Sequence, residues 1–278
     1  MPAANARAIE KARTLACDVV ILDLEDAVAP DAKAIARDQA AAAVTAGGFG
    51  NREVVVRVNA LDTPWGAEDL AAVSAVQPAA ILVPKVSTPQ DVGAYDAAIS
   101  GKTRLWAMIE TCAAVFNLDA IAAAAESNRL DAWVIGTNDL AKEMRCRQGV
   151  ARTPLLPILS LAVAAARGRG LAILDGVLND IDDTESLAAQ CAQGVEFGFD
   201  GKTLIHPSQI EAANRAFSPD PDEVAWARKV AEAFETPENS VKGVLRIDGR
   251  MVERLHLAEA LRLIAVADAI AAHEGRVR

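Results

Sequence analysis

The sequence predicts an α/β protein on a parallel sheet, specifically a (β/α)8 TIM barrel whose first strand is missing from this chain. Three observations predict it. Nearly continuous apolar runs of Val, Ile and Leu recur along the chain, as in strands covered on both faces. Helical patterns with short connections alternate with them, which calls for parallel strands and right-handed crossovers. The composition, 52% hydrophobic but 4% aromatic, suits alanine-rich amphipathic helices laid over an aliphatic sheet.

Taken in order, residues 5–15 place Ile9, Ala12 and Leu15 on one helical face. An apolar run over 19–24 ends in acids and reads as a strand. Pro30 precedes a helix over 32–45, closed by Gly47 and Gly48. Strands follow at 54–59 and 80–86, with a helix from Pro64 to Val73 between them. Thr88-Pro89 opens the next helix. Strands are then expected at 105–110, 132–136, 171–175 and 195–199. Helices are expected at 117–125, 154–167, 184–192, 208–217, 222–234 and 255–273. That makes seven strands against the eight of a closed barrel. Either the sheet is open, or the first strand lies upstream of Met1; the second is the expectation adopted. Residues 1–219 form the barrel and 220–278 an appended helical segment, with Gly243 and Asp248-Gly249 as turn signals.

The bulk numbers exclude several classes of function. A net charge of -10 argues against nucleic acid as the main partner. No apolar run approaches the roughly 20 residues of a membrane helix, and no signal peptide is expected at the N-terminus. Cys17, Cys112, Cys146 and Cys191 show neither metal nor disulfide spacing and fit reduced thiols in a cytoplasm. No glycine-rich dinucleotide motif and no P-loop occurs.

In parallel α/β folds ligands sit at the C-terminal strand ends. Here those ends carry Asp23, Glu25, Asp26, Arg57, Asn59, Lys85, Glu110, Asn138, Asp139, Asp175, Asp200 and Lys202. Asp23, Glu25 and Asp26 are open to helix capping or to pairing with Lys33 and Arg37, and Arg57 to pairing with one of these acids. Glu110 and Asp139 end neighbouring strands and repel unless protonated or bound to a metal. Oxygen ligands without a His or Cys cluster suit Mg2+, with Mn2+ as the alternative. Asp175 before Gly176 reads as a turn residue, and His206 before Pro207 as structural.

Six blocks occur in a telling order: Val20-Ile-Leu-Asp-Leu-Glu-Asp-Ala-Val-Ala-Pro30, Arg57-Val-Asn59, Val83-Pro-Lys-Val86, Ile109-Glu-Thr111, Gly136-Thr-Asn-Asp-Leu140 and Gly198-Phe-Asp-Gly-Lys-Thr-Leu-Ile-His-Pro-Ser-Gln-Ile210. Together they strongly resemble the citrate lyase beta subunit-like proteins, which include malyl-CoA and citramalyl-CoA lyases. The resemblance implies a TIM barrel, a homotrimer or hexamer, and Mg2+ held by Glu110 and Asp139. It implies cleavage of a 3-hydroxyacyl-CoA thioester to acetyl-CoA and a 2-oxo acid. It also implies an acid/base residue delivered from the C-terminal extension to a neighbouring subunit's site. Where that family carries aspartate, this chain has Glu253, in Asp248-Gly-Arg-Met-Val-Glu253. In the resulting scheme Arg57 and Glu253 are catalytic, and Arg57, Glu25, Asp26, Asn138 and Lys85 bind or orient the substrate. The alternatives are a metal-dependent pyruvate-type aldolase, a malyl-CoA thioesterase and an inactive structural paralogue.

Overall fold

The computed structural model describes residues 1–275, with side chains through residue 272. It divides into two compact units, Met1–Asn214 and Arg215–Arg278.

The first unit is built on seven parallel strands hydrogen-bonded in the order in which they occur. These are β1 (Val19–Asp23), β2 (Glu53–Arg57), β3 (Ala80–Val83), β4 (Arg104–Ile109), β5 (Leu130–Ile135), β6 (Ala172–Asp175) and β7 (Gly201–Lys202). Helices α1 (Ala6–Ala12), α2 (Lys33–Ala46), α3 (Gly66–Val76), α4 (Pro89–Ala98), α5 (Cys112–Val115), α6 (Leu118–Ala123), α7 (Thr137–Glu143), α8 (Leu156–Gly168) and α9 (Thr184–Phe197) alternate with them, and α10 (Ile210–Phe217) comes after β7. Caps set several starts: Asn5 accepts from Ala8 N–H, Asp183 from Ser186 N–H, and Thr88 with Asp91 forms a reciprocal capping box.

Alternation along each strand serves two cores. One sheet face gathers Val55, Ala80, Leu82, Trp106, Met108, Ala132 and Val134. The residues between them, such as Val56, Ile81, Val83, Ala107, Ile109, Trp133 and Ile135, are equally buried. Burial on both faces is why these strands read as unbroken apolar runs.

Three expectations are corrected. Residues 195–199 are not a strand: α9 runs on to Phe197, Gly198 caps it at φ +89°, and β7 starts at Gly201. A short apolar run is ambiguous by period alone; Val195 is exposed, because the buried stripe of α9 runs through Leu187, Cys191 and Gly194. Asp200 therefore precedes its strand and leaves the C-terminal rim. It pairs with Arg167 of α8 at 2.7 Å and accepts from Ile173 N–H at 2.8 Å.

The third correction is the appended segment, which is not wholly helical. Its helices α11 (Pro221–Glu235) and α12 (Arg254–Gly275) flank a hairpin of β8 (Val244–Ile247) and β9 (Arg250–Glu253). Asp248 and Gly249 turn it with φ of +48° and +81°, as a two-residue hairpin demands. Ala227, Val230, Phe234, Ile247, Val252 and Ala260 form this unit's own core.

Beyond β1 the sheet gains one more bridge. Pro2 lies parallel to Asp23. Asp23 N–H donates to Met1 O at 2.8 Å, and Ala3 N–H donates to Asp23 O at 2.9 Å. Among the described residues β7 and β1 are not paired, so the architecture shown is a seven-stranded parallel α/β sheet, not a closed barrel. No helix of the described residues is long and apolar enough to cross a membrane.

Candidate active site

The parallel register brings the C-terminal ends of β1 to β5 side by side, with Asp23 opposite Arg57 and Ile109 opposite Ile135. The site is built from the residues at those ends and just beyond them.

At β1 and β2, the Arg57 guanidinium grips Asp23 with two prongs, Nε to Oδ1 at 2.7 Å and Nη2 to Oδ2 at 2.6 Å. Its remaining nitrogen, Nη1, lies 2.9 Å from Glu25 Oε2, 3.6 Å from Asp26 Oδ2 and 3.5 Å from the Met108 sulfur. The expected pairing of Arg57 with the acids after β1 is therefore present, and its fork faces Asp23. Burial alone disfavours the charge on Arg57, but Asp23 and Glu25 outweigh it and raise its pKa. Burial also opposes the charge on Asp23, yet the Arg57 bonds overcome it and hold that acid below the ordinary carboxylate value. Glu25 goes the other way, because burial outweighs its two cations.

Glu25 is fixed through its backbone. Lys33 does not pair with these acids; buried under the turn, it donates to Leu24 O and Glu25 O at 2.8 Å each and to Asn59 Oδ1 at 2.7 Å. Arg37 turns away to Asp69, at 2.7 Å, and to Glu68. Asn59 thus serves the scaffold, as does Asp69, whose Oδ2 accepts its amide at 2.6 Å.

Lys85, after β3, has φ +55°. A left-handed conformation is uncommon for a residue with a Cβ. It turns the Lys85 N–H onto Glu110 Oε1 at 2.8 Å while the half-exposed ammonium reaches Glu25 Oε1 at 3.1 Å. Glu110 is 2% exposed and is tightly backed by Gly136, where a Cβ would overlap its Oε2 and Cβ. Among the described residues no cation pairs with it. Burial, followed by the charges of Glu25 and Asp139, pushes its pKa up to about 8 against the Lys85 N–H and Arg57. Asp139 sits half-buried in the first turn of α7, near enough to contribute to that shift. Asn138 is exposed and forms a reciprocal amide pair with Asn179 at 2.9 and 3.0 Å.

The structure thus gathers Arg57, Glu25, Asp26, Lys85, Glu110 and Asp139, and ties Asn138 to Asn179 beside them. Glu253 stands in the second unit at the end of β9, its N–H donated to His256 Nδ1 at 2.9 Å. His206 is structural, accepting from Ser208 N–H at the head of a short turn. Asp175 is no turn residue: it is fully buried and bound by Arg152 and Lys202. Sequence reasoning missed Arg152; its φ of +52° and the Pro154 turn after it carried no charge-pairing signal.

The donor set fits a hard divalent cation. Among the described residues no three His, Cys, Asp or Glu side chains form a protein-only cage. Two carboxylates at adjoining strand ends leave the other positions to water and substrate, as Mg2+ prefers. The raised pKa of Glu110 marks a buried acid whose ionised form lacks a counter-charge, which a cation at this position would supply.

Comparison with known proteins identifies relatives of the chain. Residues 1–207 match the family described as HpcH/HpaI aldolase/citrate lyase. The chain is 47% identical over 272 residues to a (3S)-malyl-CoA thioesterase of Cereibacter sphaeroides, covering 98% of this chain and 94% of that one. It is 32% identical over 302 residues to an L-malyl-CoA/beta-methylmalyl-CoA lyase of the same species, again covering 98% and 94%. The crystal structure of the CitE protein of Mycobacterium tuberculosis with magnesium, acetoacetate and coenzyme A superposes with a TM-score of 0.76 at 30% identity, covering 96% of each chain.

Proposed function

The chain belongs to the HpcH/HpaI aldolase/citrate lyase family, and from that premise we propose that it is a Mg2+-dependent enzyme hydrolysing a malyl-CoA-type 3-hydroxyacyl-CoA thioester. The observation that carries the reading is Glu110, a buried acid without a cationic partner among the described residues, with Asp139 beside it. Hydrolysis is favoured over carbon–carbon cleavage by the 47% identity to a thioesterase against 32% to a lyase. Cleavage to acetyl-CoA and a 2-oxo acid is the second reading, supported by that lyase. The finer fold reading, a TIM barrel, is supported by strands ordered β1 to β7 and by the Pro2 bridge beyond β1.

Glu110 and Asp139 would hold the cation. When bound, it supplies Lewis-acid polarisation and neutralises a substrate carboxylate. The chain's own cations do the rest. Arg57 is locked by Asp23, so it acts as a fixed positive field and not as a movable clamp. Lys85 has a half-exposed ammonium with one bond to Glu25, which leaves N–H donors for a substrate oxygen. Glu25 holds both cations, and Asp26 lies at their outer edge. Asn138, paired with Asn179, would orient substrate only by exchanging that partner.

Two reactions can share this arrangement. In hydrolysis water adds to the thioester carbonyl carbon, the C–S bond breaks, and the departing thiolate takes up a proton. In cleavage the 3-hydroxyl loses its proton, the C2–C3 bond breaks, and C2 of the resulting enolate is protonated. Both develop negative charge on the same thioester oxygen, so one set of donors stabilises either. The acid/base residue we assign is Glu253, delivered from the C-terminal segment to a neighbouring subunit of a homotrimer or hexamer.

The test is product analysis. Malyl-CoA incubated with enzyme and Mg2+ is expected to give free thiol and malate in equal amounts. Acetyl-CoA and glyoxylate instead would establish the lyase. No turnover of malyl-CoA or of any related 3-hydroxyacyl-CoA would refute both readings.

A further inference from the structure

Beside the carboxylate pair, at the ends of β6 and β7, lies a buried cluster with more positive than negative charge. Asp175 accepts from Arg152 Nη1 on both oxygens, at 2.6 and 2.8 Å, and from Lys202 Nζ at 2.9 Å. Arg152 is 1% exposed, and the Lys202 side chain is fully enclosed. Among the described residues no second carboxylate joins them. The other partners are amides: Gln193 Oε1 accepts from Arg152 at 2.7 and 2.9 Å, and Gln190 Oε1 from Lys202 at 3.3 Å.

Arg152 and Asp175 alone would be a balanced pair. The second cation adds desolvation cost without a second anion, so charge balance does not account for it. Its other bond does. Lys202 Nζ donates to Gly176 O, while Gly176 N–H donates to Asp175 Oδ1 at 2.8 Å. Both backbone groups of Gly176 are thereby tied to the ion cluster.

Gly176 in turn presses on the end of β5. A Cβ placed there would lie 2.6 Å from Thr137 Oγ1, 2.7 Å from Ile135 O and 2.8 Å from Thr137 Cγ2. Thr137 stands two residues before Asp139. On the opposite side Gly136 is backed against the Glu110 side chain. The order across the strand ends is therefore Glu110, Gly136-Thr137, Gly176 and the ion cluster, with each close approach made through a glycine. Neither Lys202 nor Gly176 takes part in the chemistry described above.

We propose that Lys202, Asp175 and Gly176 form a brace that sets the separation of the Glu110 and Asp139 carboxylates, with Lys202 and Gly176 as positioning residues. The proposal rests on the reading of those two acids as a divalent-cation site. Removing the brace frees Gly176 and with it the junction of β5 and α7 at Ile135 and Thr137, so Asp139 in the first turn of α7 is no longer held in place relative to Glu110. Losing such an outer support of a metal site weakens affinity by about 10- to 100-fold.

The test is Mg2+ titration of the full chain by calorimetry, with Mn2+ by electron paramagnetic resonance as a second probe, alongside thermal unfolding without metal. Lys202→Met keeps the length, removes the unbalanced charge and leaves Arg152 and Asp175 paired. It is expected to unfold at or above the wild-type temperature while binding Mg2+ at least about 10-fold more weakly. Gly176→Ala retains every ion pair and carries the test should Lys202→Met not fold. It is expected to lose affinity similarly, and adding Thr137→Ala, which removes two of the three obstructing atoms, should restore part of the loss. Glu110→Gln separates the two layers of argument. If it binds Mg2+ as wild type does, the cation site is wrong. If it loses binding while Lys202→Met and Gly176→Ala keep wild-type affinity, the brace is wrong. Failure of both brace variants to fold would assign the cluster to the fold alone and overturn the proposal as well.

Discussion

Cation binding at Glu110 should be strongly pH dependent, and the structure sets the size of the effect. Without metal, burial and the neighbouring Glu25 and Asp139 charges place the Glu110 pKa at about 8. A cation needs the carboxylate, so below that pH it must displace a proton. At pH 6 about 1% of Glu110 is ionised, and apparent Mg2+ affinity should be about 100-fold below its plateau, or about 2.7 kcal/mol. Affinity should rise about tenfold per pH unit from 6 to 8 and level off above. Calorimetry in buffers of different ionisation enthalpy gives both the affinity and the protons released. The expected release is close to one proton per cation at pH 6, falling towards zero at pH 9. Glu110→Gln should abolish the cation binding that drives it. Affinity that is flat between pH 6 and 8, with no proton released, would show that Glu110 is already ionised and would refute the reasoning.

Three further outcomes are expected. The raised pKa of Glu110 means that the unfolded chain releases this proton near pH 4.5 while the folded chain keeps it to about 8. Metal-free stability should therefore fall as pH rises across that window, and Glu110→Gln should flatten the fall in urea unfolding. Arg57→Ala leaves Asp23 buried without its two-pronged partner and should cost about 3–5 kcal/mol in chemical unfolding; Arg57→Ala with Asp23→Ala should cost less than the single change. Gly136→Ala drives a Cβ into Glu110 and should remove Mg2+-dependent thermal stabilisation at pH 8, and wild-type stabilisation would refute the close approach.

Much of this was legible because strand ends are. A buried strand announces itself by a continuous apolar run, and the polar residue that stops the run marks the rim. Glu110, Lys85 and Arg57 were found in that way. The rule failed at β7, two residues long, because so short a strand has no period; the apolar run before it belonged to a helix. The brace was also invisible. Arg152 and Asp175 are 23 residues apart and Asp175 and Lys202 are 27 apart, and no local pattern records a pairing over that distance. Lys33 was recognised as a candidate partner of the acids after β1, but its three bonds go to two carbonyls and an amide. Composition supplies the charges; the fold decides which are spent on backbone. The hairpin β8–β9 had its signal in Asp248-Gly249, read as a turn without its strands.

The distribution of charge across the rim bears on the proposed cation site. Around β1 to β5 five acids, Asp23, Glu25, Asp26, Glu110 and Asp139, stand among three cations, Arg57, Lys85 and Lys33, the last bonded to backbone under the turn. Asp23 neutralises Arg57 most directly, and Glu25 occupies Lys85. What remains is acidic, and a dicarboxylic thioester would be repelled by it. On the proposed reading, a dication held by Glu110 and Asp139 would reverse that sign beside a substrate carboxylate. It would also offset the burial and neighbouring charges that raise the Glu110 pKa. Around β6 and β7 two cations face one carboxylate, and being enclosed they cannot reach substrate. Their effect would pass through Gly176 to Ile135 at the end of β5 and Thr137 at the start of α7, the helix that carries Asp139. On the proposed reading the two clusters would have different dependences: the first would bind substrate only with metal present, and the second would alter substrate binding only through the affinity for that metal. Saturating Mg2+ should consequently restore substrate KM in Lys202→Met and not in Glu110→Gln, and an unrestored KM in Lys202→Met would break that link.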